Sequence, residues 1–446
     1  MKRVFIIGAG KSTAYLCKYL LDKSGENDWE IVVGDVDIRS AEARISGHGR
    51  GVAVAFNVFD QNIREKYIAE SDLVISMLPA MLHGQVAKDC VRLGKHMATA
   101  SYVSEEMNSL NEMAMEQGLI LFNEVGLDPG IDHASAMKII DTIHAEGGEI
   151  EVFKSYCGGL VAPESNDNPW GYKFSWNPRN VVVAGQSTAQ FLDKGELKFI
   201  PYNRIFTQIE TVEVPGMGAF DGYANRDSIS YRSPYGLKDV KTLLRGTLRM
   251  QGYCKAWNVF VQLGLTDDSW KLPDWGNISW PELLKAFLPG IKDVRSELID
   301  FAGISADKAT IDKLEWLGIF DNDNLINVSG LSPAQVLQSL LEKKWFLRPS
   351  DKDMIVMQHI FHWRDKGKSG ERRKINSSLV VKGKDQTYTA MAKTVGLPLA
   401  IVSRMILQNK IQRSGVLIPV TADIYHPLLE ELEEHEIVFK EQKLPA

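Results

Sequence analysis

The sequence predicts an α/β chain: a doubly wound, mostly parallel sheet at its start, an α+β domain after it, and a small helical subdomain. Three observations predict this. The first 125 residues alternate short β-rich runs with helical stretches, which demands crossover connections and therefore parallel pairing. A glycine pair, Gly8 and Gly10, directly follows the first apolar run. From about residue 150 the alternation gives way to Gly-, Pro- and aromatic-rich stretches.

In order, Val4 to Ile7 reads as a buried strand and Ser12 to Lys23 as a helix packing through Ala14, Leu16, Cys17, Tyr19 and Leu20. Further strands are expected at Glu30 to Gly34, Gly51 to Phe56, Leu73 to Met77, His96 to Ala98 and Leu119 to Phe122, with helices around 61–69, 81–93 and 104–117. Amphipathic stretches at Trp280–Leu288, Ala306–Leu317 and Pro333–Lys343 make 261–348 a helical subdomain. Asp353 to Trp363 and Lys374 to Val381 read as a hairpin around a charged loop at 364–373. Thr387 to Gln408 is a long helix interrupted by Gly396 and Pro398, followed by a strand-like run at 415–420 and an acidic helix at Pro427–His435. The expected domains are 1–130, then 131–260 with 349–390, the subdomain 261–348, and a segment 391–446 returning to the first domain.

At 446 residues the chain needs two or three cores. Its 44% hydrophobic and 24% charged residues are ordinary globular composition. A net charge of −6 argues against nucleic-acid and anionic-membrane partners. No eighteen-residue apolar run exists, and the basic start MKRVFIIGAGK is a strand rather than a signal peptide. Cys17, Cys90, Cys157 and Cys254 form no CxxC pair and are expected as reduced thiols in a cytoplasmic protein. No HExxH or Cys/His cluster appears, so no metal is expected.

The run Val4–Ile7, Gly8-Ala9-Gly10-Lys11-Ser12-Thr13 sets a glycine turn between a strand and a helix. Gly8 permits the tight turn, and Gly10 lets the backbone approach a pyrophosphate whose charge meets the helix N-terminus. This is a Rossmann fingerprint with Thr13 in place of its last glycine, which either loosens helix–strand packing or adds a hydroxyl. Lys11, Ser12, Asn57, Leu78, Ala100, Ser101 and Leu127 join these as expected cofactor contacts. Asp35 stands where an acidic residue binds ribose hydroxyls, which favours NAD; Arg39, four residues on, leaves NADP open. Asp37 serves equally as a helix cap.

Glu124-Val125-Gly126-Leu127-Asp128-Pro129-Gly130-Ile131-Asp132-His133 comes at the junction of the first two domains, with Pro129 read as a first helical residue and Asp128 as its cap. His133 reads as a structural histidine before a proton shuttle. This stretch, with TASYVS at 99–104, SYCGGLVAPESNDNPWGYKFSW at 155–176, NRDS at 225–228 and RGTLRMQG at 245–252, closely resembles the glutamate-forming saccharopine dehydrogenases, over nearly the whole chain. The resemblance implies a Rossmann domain completed by the C-terminal segment, a central α/β domain and a small helical one. It implies interconversion of saccharopine with 2-aminoadipate 6-semialdehyde and glutamate through an imine, with hydride transfer at a nicotinamide. It implies substrate contacts at Ser101, Tyr102, Asp128, Trp176, Arg226 and the segment Thr247–Arg249.

The residues fit that chemistry on their own terms. Three carboxylates need cations, which Arg226, Arg245 and Arg249 supply with bidentate geometry and Lys173 as a point charge. Asp128 suits an amino nitrogen or an iminium cation. Asp128, Tyr102 and Lys173 are the expected catalytic groups, with Cys157 a further candidate for moving protons. Trp176 and Tyr172 suit packing as well as ligand contact. The competing readings are a carboxynorspermidine dehydrogenase-like imine reductase, whose polyamine would want acidic partners instead of three arginines, and a non-catalytic nucleotide-sensing protein. A homodimer is the default expectation.

Overall fold

A computed structural model describes residues 1–290, 293–365 and 370–445, so part of the loop expected at 364–373 lies outside the described residues. The chain forms two compact units: Met1–Gly148 with Leu379–Lys440, and Glu149–Ser378 with the last residues from Glu441.

The first unit is built on a seven-stranded, all-parallel sheet. Its strands are β1 (Lys2–Ile7), β2 (Trp29–Asp35), β3 (Gly51–Ala55), β4 (Leu73–Ser76), β5 (His96–Ala98) and β6 (Ile120–Phe122), and Gly415–Leu417 pairs with β6. The order runs from Gly415–Leu417 through β6, β5, β4, β1 and β2 to β3, so the direction of winding reverses at β1. The central strands are apolar on both faces because helices cover both, as in β1, where Val4, Phe5, Ile6 and Ile7 are wholly buried.

Three helical expectations change. The phosphate turn leads into a 3-10 turn, Lys11–Thr13, before helix α1 (Ala14–Asn27). The expected helix 104–117 is two short helices, Glu105–Asn108 and Asn111–Glu116. The helix after Pro129 begins at Ile131 with Gly130 at its N-cap, and runs to Ala145 inside the first unit. Pro129 is therefore not its first residue and Asp128 not its cap. Instead Asp132 folds back to accept the Gly130 amide at 2.6 Å.

The C-terminal segment returns as helix Ala390–Leu407, continuous despite Pro398. Gly396 explains its fit: a Cβ there would stand 2.8 Å from the Leu16 nitrogen and 3.3 Å from the Ser12 carbonyl, so only glycine lets this helix reach α1. It is long and apolar enough to cross a membrane, but 89% of it is buried as core.

The second unit holds a nine-stranded sheet. Its strands include β7 (Gly148–Val161), β8 (Ala189–Asp193), β9 (Glu196–Ile200), β10 (Ile209–Val214), β11 (Gly218–Ala224) and β12 (Thr242–Met250), then Asp353–Asp365 and Arg372–Lys382. β12 is an interior strand of this sheet, parallel to β7 on one side and antiparallel to β11 on the other. Helices Tyr253–Gln262, Trp280–Phe287, Val294–Ala302, Lys308–Trp316 and Pro333–Lys344 belong to the same compact unit. Trp170, Tyr172, Phe174, Tyr253, Trp257, Phe260 and Trp345 form a contiguous set of rings in its core.

Candidate active site

In the first unit the glycine turn is rigidly specified. Gly8 has φ +101°, and a Cβ there would meet the Met77 carbonyl at 3.0 Å. At Gly10 nothing lies within 4 Å of a built Cβ, so the backbone offers an open cradle at the mouth of the helix, which fits a dinucleotide pyrophosphate. Thr13 adds a hydroxyl rather than loosening the packing: it donates to the Gly10 carbonyl at 2.7 Å and accepts from Arg44 Nε at 3.1 Å. Arg44, which the sequence did not single out, also donates to the Gly10 carbonyl at 3.0 Å.

Asp35 does not present a free carboxylate. Its Oδ2 accepts the Ala9 amide at 2.8 Å and its Oδ1 the Asp37 amide at 3.0 Å, so it braces the turn. Asp37 caps the next helix and pairs with Arg39 at 3.0 Å, with the Arg39 side chain 85% exposed. Asn57 accepts the Phe59 amide at 3.1 Å, shaping the turn after β3. Val36, Phe59 and Met81 are strongly exposed apolar residues just past the ends of β2, β3 and β4, where such sheets bind ligands.

Past β4 and β5, the His83 imidazole lies between two hydroxyls, 2.8 Å from Ser76 Oγ through Nδ1 and 2.7 Å from Ser101 Oγ through Nε2. Burial pushes His83 down to about 4, so it is neutral at working pH. Tyr102 donates to Asp128 Oδ1 at 3.2 Å, bringing two of the three expected catalytic groups together. Glu124 ties their loops. It has φ +55°, its amide donates to the Ser101 carbonyl at 3.0 Å, Oε1 accepts the Val103 amide at 2.9 Å, and Oε2 meets His133 Nε2 at 2.9 Å. A non-glycine residue held at positive φ in a functional loop is strain retained by its surroundings. Ala100 is half-buried and Leu127 buried, both in these loops, and Leu78 is half-buried past β4.

In the second unit, side chains alternate along β12 so that Arg245, Thr247 and Arg249 share one face. Asp221 and Tyr223 of β11 stand opposite Arg249 and Thr247, and Ser155 and Cys157 of β7 opposite Arg245 and Thr247. Arg249 is only 5% exposed, its guanidinium 5.2 Å from the Tyr172 ring and 5.5 Å from that of Tyr253. Its Nη1 donates to the Leu248 carbonyl at 3.1 Å, and its Nε has no partner. Burial works against its charge, and the Tyr223, Tyr172 and Tyr253 oxygens that raise its pKa carry charge only as phenolates, which burial keeps neutral at working pH. Asp221 is no counter-ion: it accepts the amides of Gly252 at 2.9 Å and Cys254 at 3.3 Å, and burial raises its pKa. Among the described residues no carboxylate lies within salt-bridge distance of Arg249.

Arg245 lies over the Tyr231 ring at 4.3 Å. Arg226 is exposed, just past the end of β11, with φ +45°. Trp176 Nε1 donates to the Tyr172 hydroxyl at 3.1 Å, so both rings brace the surroundings of Arg249. Lys173 corrects an expectation. It is 2% exposed and ion-paired with Asp351 at 2.6 Å and Asp167 at 2.9 Å, so it meets carboxylates of the protein itself. All four cysteines are buried and none is in a disulfide.

The family model for the saccharopine dehydrogenase NADP binding domain matches residues 4–122, and that for the saccharopine dehydrogenase C-terminal domain matches 126–438. The chain belongs to the saccharopine dehydrogenase family. Relatives include saccharopine dehydrogenase [NADP(+), L-glutamate-forming] of Pyricularia oryzae, 35% identical over 97% of both chains. The mouse mitochondrial alpha-aminoadipic semialdehyde synthase is 36% identical over 99% of this chain, which spans 48% of that longer protein. The apo L-Glu-forming saccharopine dehydrogenase structure from Saccharomyces cerevisiae superposes with a TM-score of 0.88 at 32% identity, covering both chains fully.

Proposed function

We propose that this member of the family is a glutamate-forming saccharopine dehydrogenase that uses NADP(H). The observation carrying the substrate is Arg249, a buried cation on the same strand face as Arg245, with no carboxylate in salt-bridge distance among the described residues. Leaving a charge so buried is costly unless a ligand completes the pair, and a substrate with three carboxylates does so.

Bound nicotinamide would accept hydride from the carbon of saccharopine that bears the secondary amine on the lysine side. Gly8, Gly10 and the helix mouth would hold its pyrophosphate, with Arg44 and Asp35 bracing the turn. The amine proton leaves as the C=N bond forms, water adds to that carbon, and collapse releases glutamate and the semialdehyde. Asp128 stabilises the iminium charge, and the Tyr102 hydroxyl at 3.2 Å is placed to pass protons to and from it. Lys173 acts by holding Asp351 and Asp167.

For the cofactor, each Asp35 oxygen accepts one backbone amide and keeps a lone pair for a ribose hydroxyl, so Asp35 does not decide between NAD and NADP. The exposed Arg39 guanidinium beyond β2 suits a 2′-phosphate, and the relatives' names carry NADP(+). The test monitors near-ultraviolet absorbance of the reduced nicotinamide with saccharopine or carboxynorspermidine, and with NADP+ or NAD+. Turnover only of carboxynorspermidine refutes the substrate; a preference for NAD+ refutes the cofactor.

A further inference from the structure

The Ser76–His83–Ser101 chain is buried, directional and unused by the chemistry of hydride transfer and hydrolysis. Ser76 is wholly buried, and among the described residues its hydroxyl has one hydrogen-bond partner, His83 Nδ1 at 2.8 Å. A buried hydroxyl with one partner spends its proton on it, because an unmet donor is rarer and costlier than an unmet lone pair. Nδ1 is then the acceptor. A neutral imidazole carries a single N–H, so that proton sits on Nε2 and is donated to Ser101 Oγ at 2.7 Å. Thr99 Oγ1 accepts the Ser101 amide at 3.3 Å and can offer its own proton to Nε2 only at 3.4 Å, so the shorter Ser76 and Ser101 contacts set the tautomer. Ser101 Oγ, with a lone pair engaged by Nε2–H, keeps its own proton to give outward from the half-buried edge of the sheet.

We propose that His83 is a positioning residue that locks the Ser101 hydroxyl as a hydrogen-bond donor, matching it to a carboxylate oxygen of the substrate and against an ammonium group. This rests on Ser101 touching the substrate, as the proposed saccharopine dehydrogenase function requires. The chain ends at buried Ser76, so it orients a proton rather than conducting one to solvent. The sorting is chemical: the freed hydroxyl proton favours an amino acid's oxygen end, while a polyamine's ammonium finds only the one lone pair left on Oγ.

Two measurements test it. Long-range proton–nitrogen NMR on histidine-labelled protein, with the His83 signals assigned by their loss in His83→Gln, should show the bare nitrogen at Nδ1. A bare Nε2 overturns the proposal. In kinetics, His83→Leu should lower kcat/KM for saccharopine roughly tenfold or more, mainly through KM, with the KM for NADPH unchanged. His83→Gln, whose amide N–H still donates, should recover part of the loss. In a Ser101→Ala background, His83→Leu should cost less than about twofold more, because its partner is gone. Independent, multiplicative losses overturn the lock while leaving the function standing. If Ser101→Ala alone matches the unaltered protein, Ser101 is not at the substrate and the proposal falls with that placement. Should His83→Leu fail to fold, the NMR measurement and the paired His83→Gln and Ser101→Ala variants decide it.

Discussion

Replacing Arg249 with Met should make the unliganded protein more stable and the enzyme nearly inactive. The guanidinium is 5% exposed and has no carboxylate partner among the described residues, so the folded chain carries its desolvation, which amounts to several kcal/mol for an ion in a protein interior. The faces of Tyr172 and Tyr253, at 5.2 and 5.5 Å, return about 1–2 kcal/mol. Met has a similar volume and no charge, so a net gain of about 1–2 kcal/mol is expected, read as a rise of a few degrees in Tm. Loss of a buried, charge-assisted contact to a substrate carboxylate costs about 3 kcal/mol, or roughly two orders of magnitude in kcat/KM. Differential scanning fluorimetry with and without saccharopine, beside initial rates, reads both effects. Saccharopine should raise the Tm of the unaltered protein and not that of Arg249→Met. A variant both less stable and unchanged in its KM for saccharopine would refute the reasoning.

Lys173→Met should destabilise the fold by about 3–5 kcal/mol by stranding Asp351, and adding Asp351→Leu should recover much of it; retained instability in the pair would return Lys173 to the chemistry. Arg39→Ala should raise the KM for NADPH and leave that for NADH unchanged, measured by initial rates. His83 gives a pH signature. Its folded pKa, about 4, lies below the ordinary 6.5, so protons bind the unfolded chain more readily. Stability from this group is complete above pH 6.5 and is lost as pH falls towards 4, on the order of 3 kcal/mol in all. Urea titrations should therefore show the penalty of His83→Gln shrinking between pH 7 and 4.5; a constant penalty would contradict a buried neutral imidazole. Asp307 caps the helix Lys308–Trp316 and pairs with Lys255 at 2.6 Å, a hydrogen bond that holds its pKa down to about 2. Asp307→Asn should cost a little stability at neutral pH, an effect fading as pH falls from about 4 to 2.

The sheet and the glycine turn were legible because strand burial and turn geometry are local properties, written in consecutive residues such as Val4 to Gly10. The arginine face was legible for a similar reason: Arg245, Thr247 and Arg249 alternate along one strand. Partnerships across long stretches of chain were not. Lys173 looked like a free cation because Asp351 lies far along the sequence, and nothing near Asp35 showed that it also braces the turn through Ala9. His83, alone in a helical stretch, offered no sign of the two serines that meet it. Pro398 suggested a break, since nothing local shows that Gly396 lets its helix lie against α1.

That contact at Gly396 also sets an order of events. The N-terminal part of the first unit leaves the ribosome long before residues 379–440, with residues 149–378 of the second unit made in between. Until the returning helix arrives, α1 has an uncovered flank shaped to receive it. The nascent nucleotide domain is thus an unfinished surface, exposed to proteases and chaperones for most of translation. A premature stop before residue 390 removes the far end of the chain and, with it, the buttress behind the phosphate turn at the near end.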